Sequence, residues 1–218
     1  HRPMLRLVRD GAPLAEEAQA PAYGAHPTSR WQPGEVVLDW LALEVPADLA
    51  AGPAELPLVV AGGEPLRLGE VRIEAVAHTF DAPLPVVATA MPLGPFAELV
   101  GYDPPPSEVH PPETVPLTLY WRARGTPAEA YIVFTHLLGE DGRLVAQHDA
   151  PPAGGGRPTT GWVAGEYVTD HHPLEWVDPG YRGPLTIEVG LYDPATGQRL
   201  TAPGGDSRLV LPAAIMAR

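Results

Sequence analysis

Apolar and polar residues alternate with a period of two along several short stretches of this chain. In VPLTLYWRA, residues 115–123, Val115, Leu117, Leu119, Trp121 and Ala123 share one phase, and Thr118, Tyr120 and Arg122 share the other. A period of two puts successive side chains on opposite faces of extended backbone, so the run predicts a half-buried β-strand. LTIEVGLY, residues 185–192, repeats the pattern with Leu185, Ile187, Val189 and Leu191 inward, and its partner earlier in the chain offers Ala54, Leu56, Leu58 and Val60. YIVFTHLL, residues 131–138, is apolar in both phases and predicts a central strand covered on both faces. GYDPPP, GEDGR and DPATG, beginning at residues 101, 139 and 193, carry the turn residues that separate such runs.

The chain repeats itself. Residues 10–58 align without a gap on residues 141–189, with 17 identities in 49 pairs. Asp10/Asp141, Gly34/Gly165, Glu35/Glu166, Asp39/Asp170 and Gly52/Gly183 are among them, as are the candidate scaffold pairs Thr28/Thr159 and Trp31/Trp162. Retained glycines mark backbone geometry that other residues adopt poorly, and the retained tryptophans are expected in the core. After residue 60 the register slips by about ten residues, those reading YDPATGQRLT in the second copy, which predicts a shortened hairpin in the first. HDAPPAGGGRPTTGW, residues 148–162, reads as a surface loop pinned by Trp162.

The expected architecture is all-β, a jelly-roll-like antiparallel β-sandwich with one complete repeat and one partial repeat. Residues 1–75 form the partial copy, with four or five strands and no front half, and residues 76–218 form the complete copy, with about eight strands. A half sandwich exposes too much apolar surface to stand alone, so the first copy is expected to be completed by a neighbouring domain or by a second chain in a homo-oligomer.

Composition narrows the function classes. With 29 Pro and 23 Gly in 218 residues, turns are frequent and long helices are not expected. A formal net charge of −13 gives no basic surface for nucleic acid or an anionic membrane. No apolar run approaches the roughly 20 residues that cross a bilayer, so direct membrane insertion of this chain is not expected. All 14 cationic residues are Arg, and Lys, Asn and Cys are absent, which fits a GC-rich genome and suits a hot environment. Without Cys there is no disulfide, thiol nucleophile or thiolate metal site.

The run LVGYDP … VPLTLYWRARG … YIVFTHLLGEDGRLVAQHDAPP … RPTTGWVAGEYVTD … GPLTIEVGLYDPATGQRL resembles soluble β-rich repeats in the C-terminal tails of bacterial multi-pass membrane proteins. Those parents look like glycosyltransferases that use lipid-linked sugars, or are uncharacterised. The resemblance covers residues 98–200 and, as a partial second copy, residues 5–60. It implies a jelly-roll-like sandwich outside the cytoplasm, tethered to a membrane protein, with no catalytic residue to carry across.

Candidate chemistry is sparse. Asp39 and Asp170 share the inward phase with Val37/Val168 and Leu43/Leu174, and a buried carboxylate must be hydrogen-bonded or metal-bound. Thr28/Thr159, the Trp31/Trp162 indoles and loop amides could serve it, making each Asp a structural anchor, with a cation ligand as the alternative. His136, His148, Asp149, Asp170, His171 and His172 form the His-rich constellation, which reads first as a solvent-exposed His edge, with His148, Asp149 and Asp170 as the candidate zinc set. Asp141 and Asp193, in their turns, are calcium candidates weighed against ordinary turn capping. Otherwise no cofactor is expected. A glycan site would use exposed aromatics with polar neighbours; Tyr120 with Arg122, then Trp176 and Tyr181, are the candidates, and Trp40 and Tyr167 follow, weighed against rim packing or an interface role. The three serines, Ser29, Ser107 and Ser207, sit in no nucleophile elbow, and neither a zincin motif nor a phosphate loop is present. The expectation is a non-catalytic extracytoplasmic accessory or interaction module. A carbohydrate-binding module and a metal-dependent hydrolase are the alternatives.

Overall fold

The structure is a computed structural model that describes residues 2–60 and 63–218. It divides into two compact units, His1–Ala77 and His78–Arg218, two residues from the expected boundary. No α-helix occurs among the described residues, and the all-β class expected from the alternation is what the chain adopts.

Unit 1 carries β1 (Met4–Arg9), β2 (Ala12–Ala18), β3 (Gly52–Val59) and β4 (Leu66–Ile73), hydrogen-bonded antiparallel in the order β2-β1-β3-β4. Unit 2 carries β5 (Val87–Leu93), β6 (Ala97–Asp103), β7 (Glu108–Val109), β8 (Val115–Ala123), β9 (Ile132–Leu138), β10 (Leu144–Ala150), β11 (Tyr167–Trp176), β12 (Gly183–Tyr192) and β13 (Leu209–Ala217). Their order is β5-β6-β8-β11-β10-β9-β12-β13-β7, antiparallel except where β7 joins β13. β11 meets β10 only at Ala146↔Trp176 and Gln147↔Glu175. At that seam the strands separate into a front layer, β5-β6-β8-β11, and a back layer, β10-β9-β12-β13-β7, which share one apolar core.

The alternation fills that core as expected. Val115, Leu117, Leu119, Trp121 and Ala123 of β8 are buried, opposite Leu185, Ile187, Val189 and Leu191 of β12. β9 is central, between β10 and β12, and apolar on both faces: Val133 and Leu137 face the core, while Phe134 is buried on the outer face. The Arg199 guanidinium lies 4.1 Å from the centre of the Phe134 ring, and Gly190 sits beneath it, where a Cβ would come within 2.4 Å of the ring. Arg199 belongs to the hairpin that the first copy lacks. β12 and β13 are joined by residues 193–208, whereas β3 and β4 are joined by residues 60–65, the shortening read from the sequence.

The repeat is a structural one. The order β2-β1-β3-β4 matches β10-β9-β12-β13, and the 3-10 turns Pro21–Gly24 and Thr28–Arg30 recur at Pro152–Gly155 and Thr159–Gly161. Retained glycines occupy the left-handed backbone region, as at Gly34 (φ 81°) and Gly165 (φ 91°), where a side chain is strained.

Two sequence expectations need correction. Trp31 is 38% exposed, although Trp162 is fully buried, because Trp162 packs edge-on at 6.1 Å against Phe96, which joins β5 to β6, and the described residues of unit 1 include no counterpart of those strands. Leu56 and Leu58 are only half-buried and Val60 is exposed. The β1–β2 turn is one residue shorter than the β9–β10 turn: Leu7 pairs with Ala15 and Leu137 with Ala146, so Arg6 corresponds to His136.

Candidate functional site

The retained residues converge on the loop after β10 in unit 2 and on the equivalent loop in unit 1. In each, an alanine adopts left-handed backbone, Ala22 at φ 48° and Ala153 at φ 53°, a conformation that costs an L-residue roughly 1–2 kcal/mol. In each, that alanine's own N–H donates to the retained aspartate, Ala22 to Asp39 Oδ1 at 3.0 Å and Ala153 to Asp170 Oδ1 at 2.8 Å. A hydrogen bond to a carboxylate contributes about 1.5–3 kcal/mol, enough to offset the strain. Asp39 and Asp170 are therefore the loop anchors that their inward phase implied, served by loop amides.

In unit 2 the anchor extends into the core. Asp170 is fully buried, and its Oδ2 accepts from Trp121 Nε1 at 3.2 Å. His172 Nε2 lies 2.9 Å from the same oxygen but off the hydrogen-bond direction, and that nitrogen has no hydrogen-bond partner. His172 Nδ1 meets His148 Nδ1 at 2.9 Å. Burial, then the neighbouring His172, hold the His148 imidazole below its ordinary value, opposed by Asp170, Asp149 and Glu175.

The other retained residues are loop fasteners. Buried Thr159 donates to Glu129 O at 3.0 Å and accepts from Tyr131 N at 2.9 Å; Thr28 is half-buried at the equivalent place. The Trp162 indole donates to Arg157 O at 3.0 Å and the Trp31 indole to His26 O at 3.2 Å, the same reach of five residues. Glu166 is missed as a functional position by sequence reasoning, although its identity with Glu35 was the signal. It is fully buried against His78 Nδ1 and Arg157 Nη2, the latter at 2.5 Å, and its Oε1 has no hydrogen-bond partner. Glu35 instead takes the Gln32 amide and His26 at 2.8 Å each, which together hold its carboxyl below the usual range.

The candidate metal set does not come together. His148 and Asp149 are successive on β10 and point to opposite faces, His148 toward buried His172 and Asp149 toward His136, whose Nε2 lies 3.4 Å from Asp149 Oδ1. Among the described residues no three His, Asp or Glu side chains could hold a metal ion. His171 lies on the outer face, 3.0 Å from the Thr118 hydroxyl, opposite in direction to His172. Asp141 and Asp193 cap their own turns. Asp141 Oδ1 accepts from Arg143 N at 3.0 Å, and Asp193 accepts from the Thr196 hydroxyl and then Ala195 N, which pull its carboxyl down.

Nor do the four glycan candidates share one surface. Tyr120 and Arg122 are on the outer face of β8, with Tyr120 opposite Thr169 on β11. Trp176 lies seven residues farther along β11, about 23 Å away, and is packed with Tyr181 against the core. Their polar tips are already engaged: Tyr120 OH donates to Asp103 at 2.8 Å, Trp176 Nε1 to Glu113 O at 2.7 Å, and Tyr181 OH to Pro184 O at 2.8 Å. Arg122 reaches Glu98 at 3.9 Å. Of the aromatics named from the sequence, Trp40 alone presents a broad exposed ring, at 75% exposure; Tyr167 is half-buried. Comparison with protein-family models and with curated proteins finds no match to this chain.

Proposed function

We propose that this chain is a non-catalytic β-sandwich interaction module, acting outside the cytoplasm as an accessory of a membrane-tethered parent. The observation that carries the reading is the division of labour between retained and exposed residues. The retained side chains spend their polar atoms on fastening loops, whereas Val36, Leu38 and Trp40 stand 94%, 83% and 75% exposed in one short stretch of unit 1. Large apolar side chains clustered in water mark a surface that meets another macromolecule. The net charge of −13 points away from nucleic acid. The extracytoplasmic placement is supported by the resemblance over residues 98–200.

The test is accessible apolar surface. The environment-sensitive dye ANS is expected to brighten with the wild-type chain. The triple substitution Val36→Tyr, Leu38→Thr and Trp40→His, which installs the side chains unit 2 has at Tyr167, Thr169 and His171, is expected to remove most of that signal. Dye binding that is absent, or unchanged in the triple variant, refutes the reading.

A further inference from the structure

Unit 2 shows what unit 1 is missing. There, β11 pairs with β8 over eight residues, from Tyr167↔Arg122 to Leu174↔Val115. The corresponding stretch of unit 1, residues 36–43, belongs to no strand, because none of the described residues of the unit stands where β8 would. It nevertheless keeps the alternation of β11. Val37, Asp39, Leu41 and Leu43 are half-buried, as Val168, Asp170, His172 and Leu174 are buried, and the residues between them are exposed. Alternation without a partner leaves a row of backbone N–H and C=O groups that another strand can pair.

The face behind that row is also uncovered. An open groove of about 430 Å³ is lined by Leu5, Leu7, Leu43, Val45, Leu56 and Val71. At the positions of Leu7, Leu43 and Leu56, unit 2 has Leu137, Leu174 and Ile187, all buried in the core to which β8 contributes Leu117, Leu119 and Trp121. The polar anchor is incomplete in the same place. Asp170 Oδ2 takes the Trp121 indole, while Asp39 receives both of its hydrogen bonds, from Ala22 N and Trp40 N, on Oδ1. Among the described residues nothing donates to Asp39 Oδ2.

We propose that unit 1 is completed by a polypeptide strand of the β8 type, docking antiparallel along residues 36–43. Its apolar residues fall at every second position into the groove, and it carries a tryptophan opposite Val37, where Trp121 stands opposite Val168, so that the indole reaches Asp39. Recognition follows the mode in which main-chain pairing gives affinity and alternate side chains give specificity. The proposal rests on the interaction-module reading and names the partner of its exposed segment.

The experiment uses the full chain and two fluorescein-labelled peptides, one spanning residues 113–125 and a longer one spanning residues 96–125, which brings the β6 strand as well. Fluorescence anisotropy is expected to give saturable binding of at least one of them. Trp121→Ala in the peptide and Asp39→Ala in the chain are each expected to weaken it at least tenfold. Hydrogen-exchange protection of the β1 and β3 amides confirms that unit 1 of the Asp39→Ala chain is folded, and amides 36–43 of the wild-type chain are expected to gain protection when peptide is added. The proposal is overturned if neither peptide binds while ANS still reports the open surface, or if binding ignores both the tryptophan and Asp39. It is also overturned if sedimentation shows the chain covering residues 36–43 with a second copy of itself and peptide does not displace that copy. Loss of the ANS signal itself is a different result, and it removes the interaction-module reading instead.

Discussion

The two aspartate anchors provide a comparison inside one molecule. Asp170→Asn keeps the size of the side chain and replaces one carboxylate oxygen with an amide NH2. If the amide oxygen stays on Ala153 N, the NH2 faces the Trp121 N–H across 3.2 Å; if the group flips, it faces the Ala153 N–H. Either way one buried donor loses its acceptor, a penalty of about 1–3 kcal/mol, and the surviving hydrogen bond loses its charged partner. His172 Nε2 gives little relief, since it lies off the hydrogen-bond direction. The expected cost is about 3 kcal/mol, which corresponds to a fall of roughly 10 °C in the midpoint of a unit this size. Asp39→Asn faces no such conflict, because Ala22 N and Trp40 N both bond to Oδ1, which the asparagine carbonyl replaces. Its cost is expected below about 1 kcal/mol. Amide hydrogen exchange across a guanidinium series, read on β1 and β3 for unit 1 and on β8 and β12 for unit 2, measures each variant in its own unit. A nearly neutral Asp170→Asn, or equal losses in the two variants, refutes the hydrogen-bond assignment.

Two further outcomes follow from packing and charge. Gly190→Ala drives a methyl to within 2.4 Å of the Phe134 ring, held from the other side by Arg199, so thermal unfolding is expected to show a loss of about 1–3 kcal/mol. His148 is held below its ordinary value by burial, facing His172, Asp170, Asp149 and Glu175, so the unfolded chain binds its proton more readily than the folded one. Its stabilising effect is present above pH about 6.5 and is lost as pH falls below that value toward the folded-state pKa, so stability measured from pH 7 to 5 should decline less steeply in His148→Gln than in the wild type.

How much of this was legible in the sequence depends on whether a residue's partner is local. The period of two in residues 115–123 and 185–191 was sufficient to assign the core faces, because burial on one side is the only way such strands pay their ordering cost. The loop anchors were legible because each Asp serves an amide 17 residues earlier in both copies, so duplication preserved the pair together. The hydrogen-bond partners of the glycan candidates, Asp103, Glu113 O and Pro184 O, were not legible, because they are set by tertiary position that no local pattern reports. The metal candidates do not assemble because His148 and Asp149, successive on one strand, face opposite sides.

Trp31 shows where the two kinds of information part. Its indole makes the same bond as Trp162, to the carbonyl five residues earlier, and that bond requires nothing beyond the loop. A smaller donor would make that bond without placing a large ring in water, so the hydrogen bond explains the polar edge of the side chain and not its bulk. In unit 2 the bulk has a purpose: it meets Phe96 of the front layer and is buried completely. Exposed Trp31 and the half-paired Asp39 stand on the side of unit 1 where unit 2 has strands. A retained tryptophan without its packing partner and a retained carboxylate without its indole are therefore the same observation made twice, once in apolar surface and once in hydrogen bonding. Both mark the same gap, the front layer to which the proposed strand belongs.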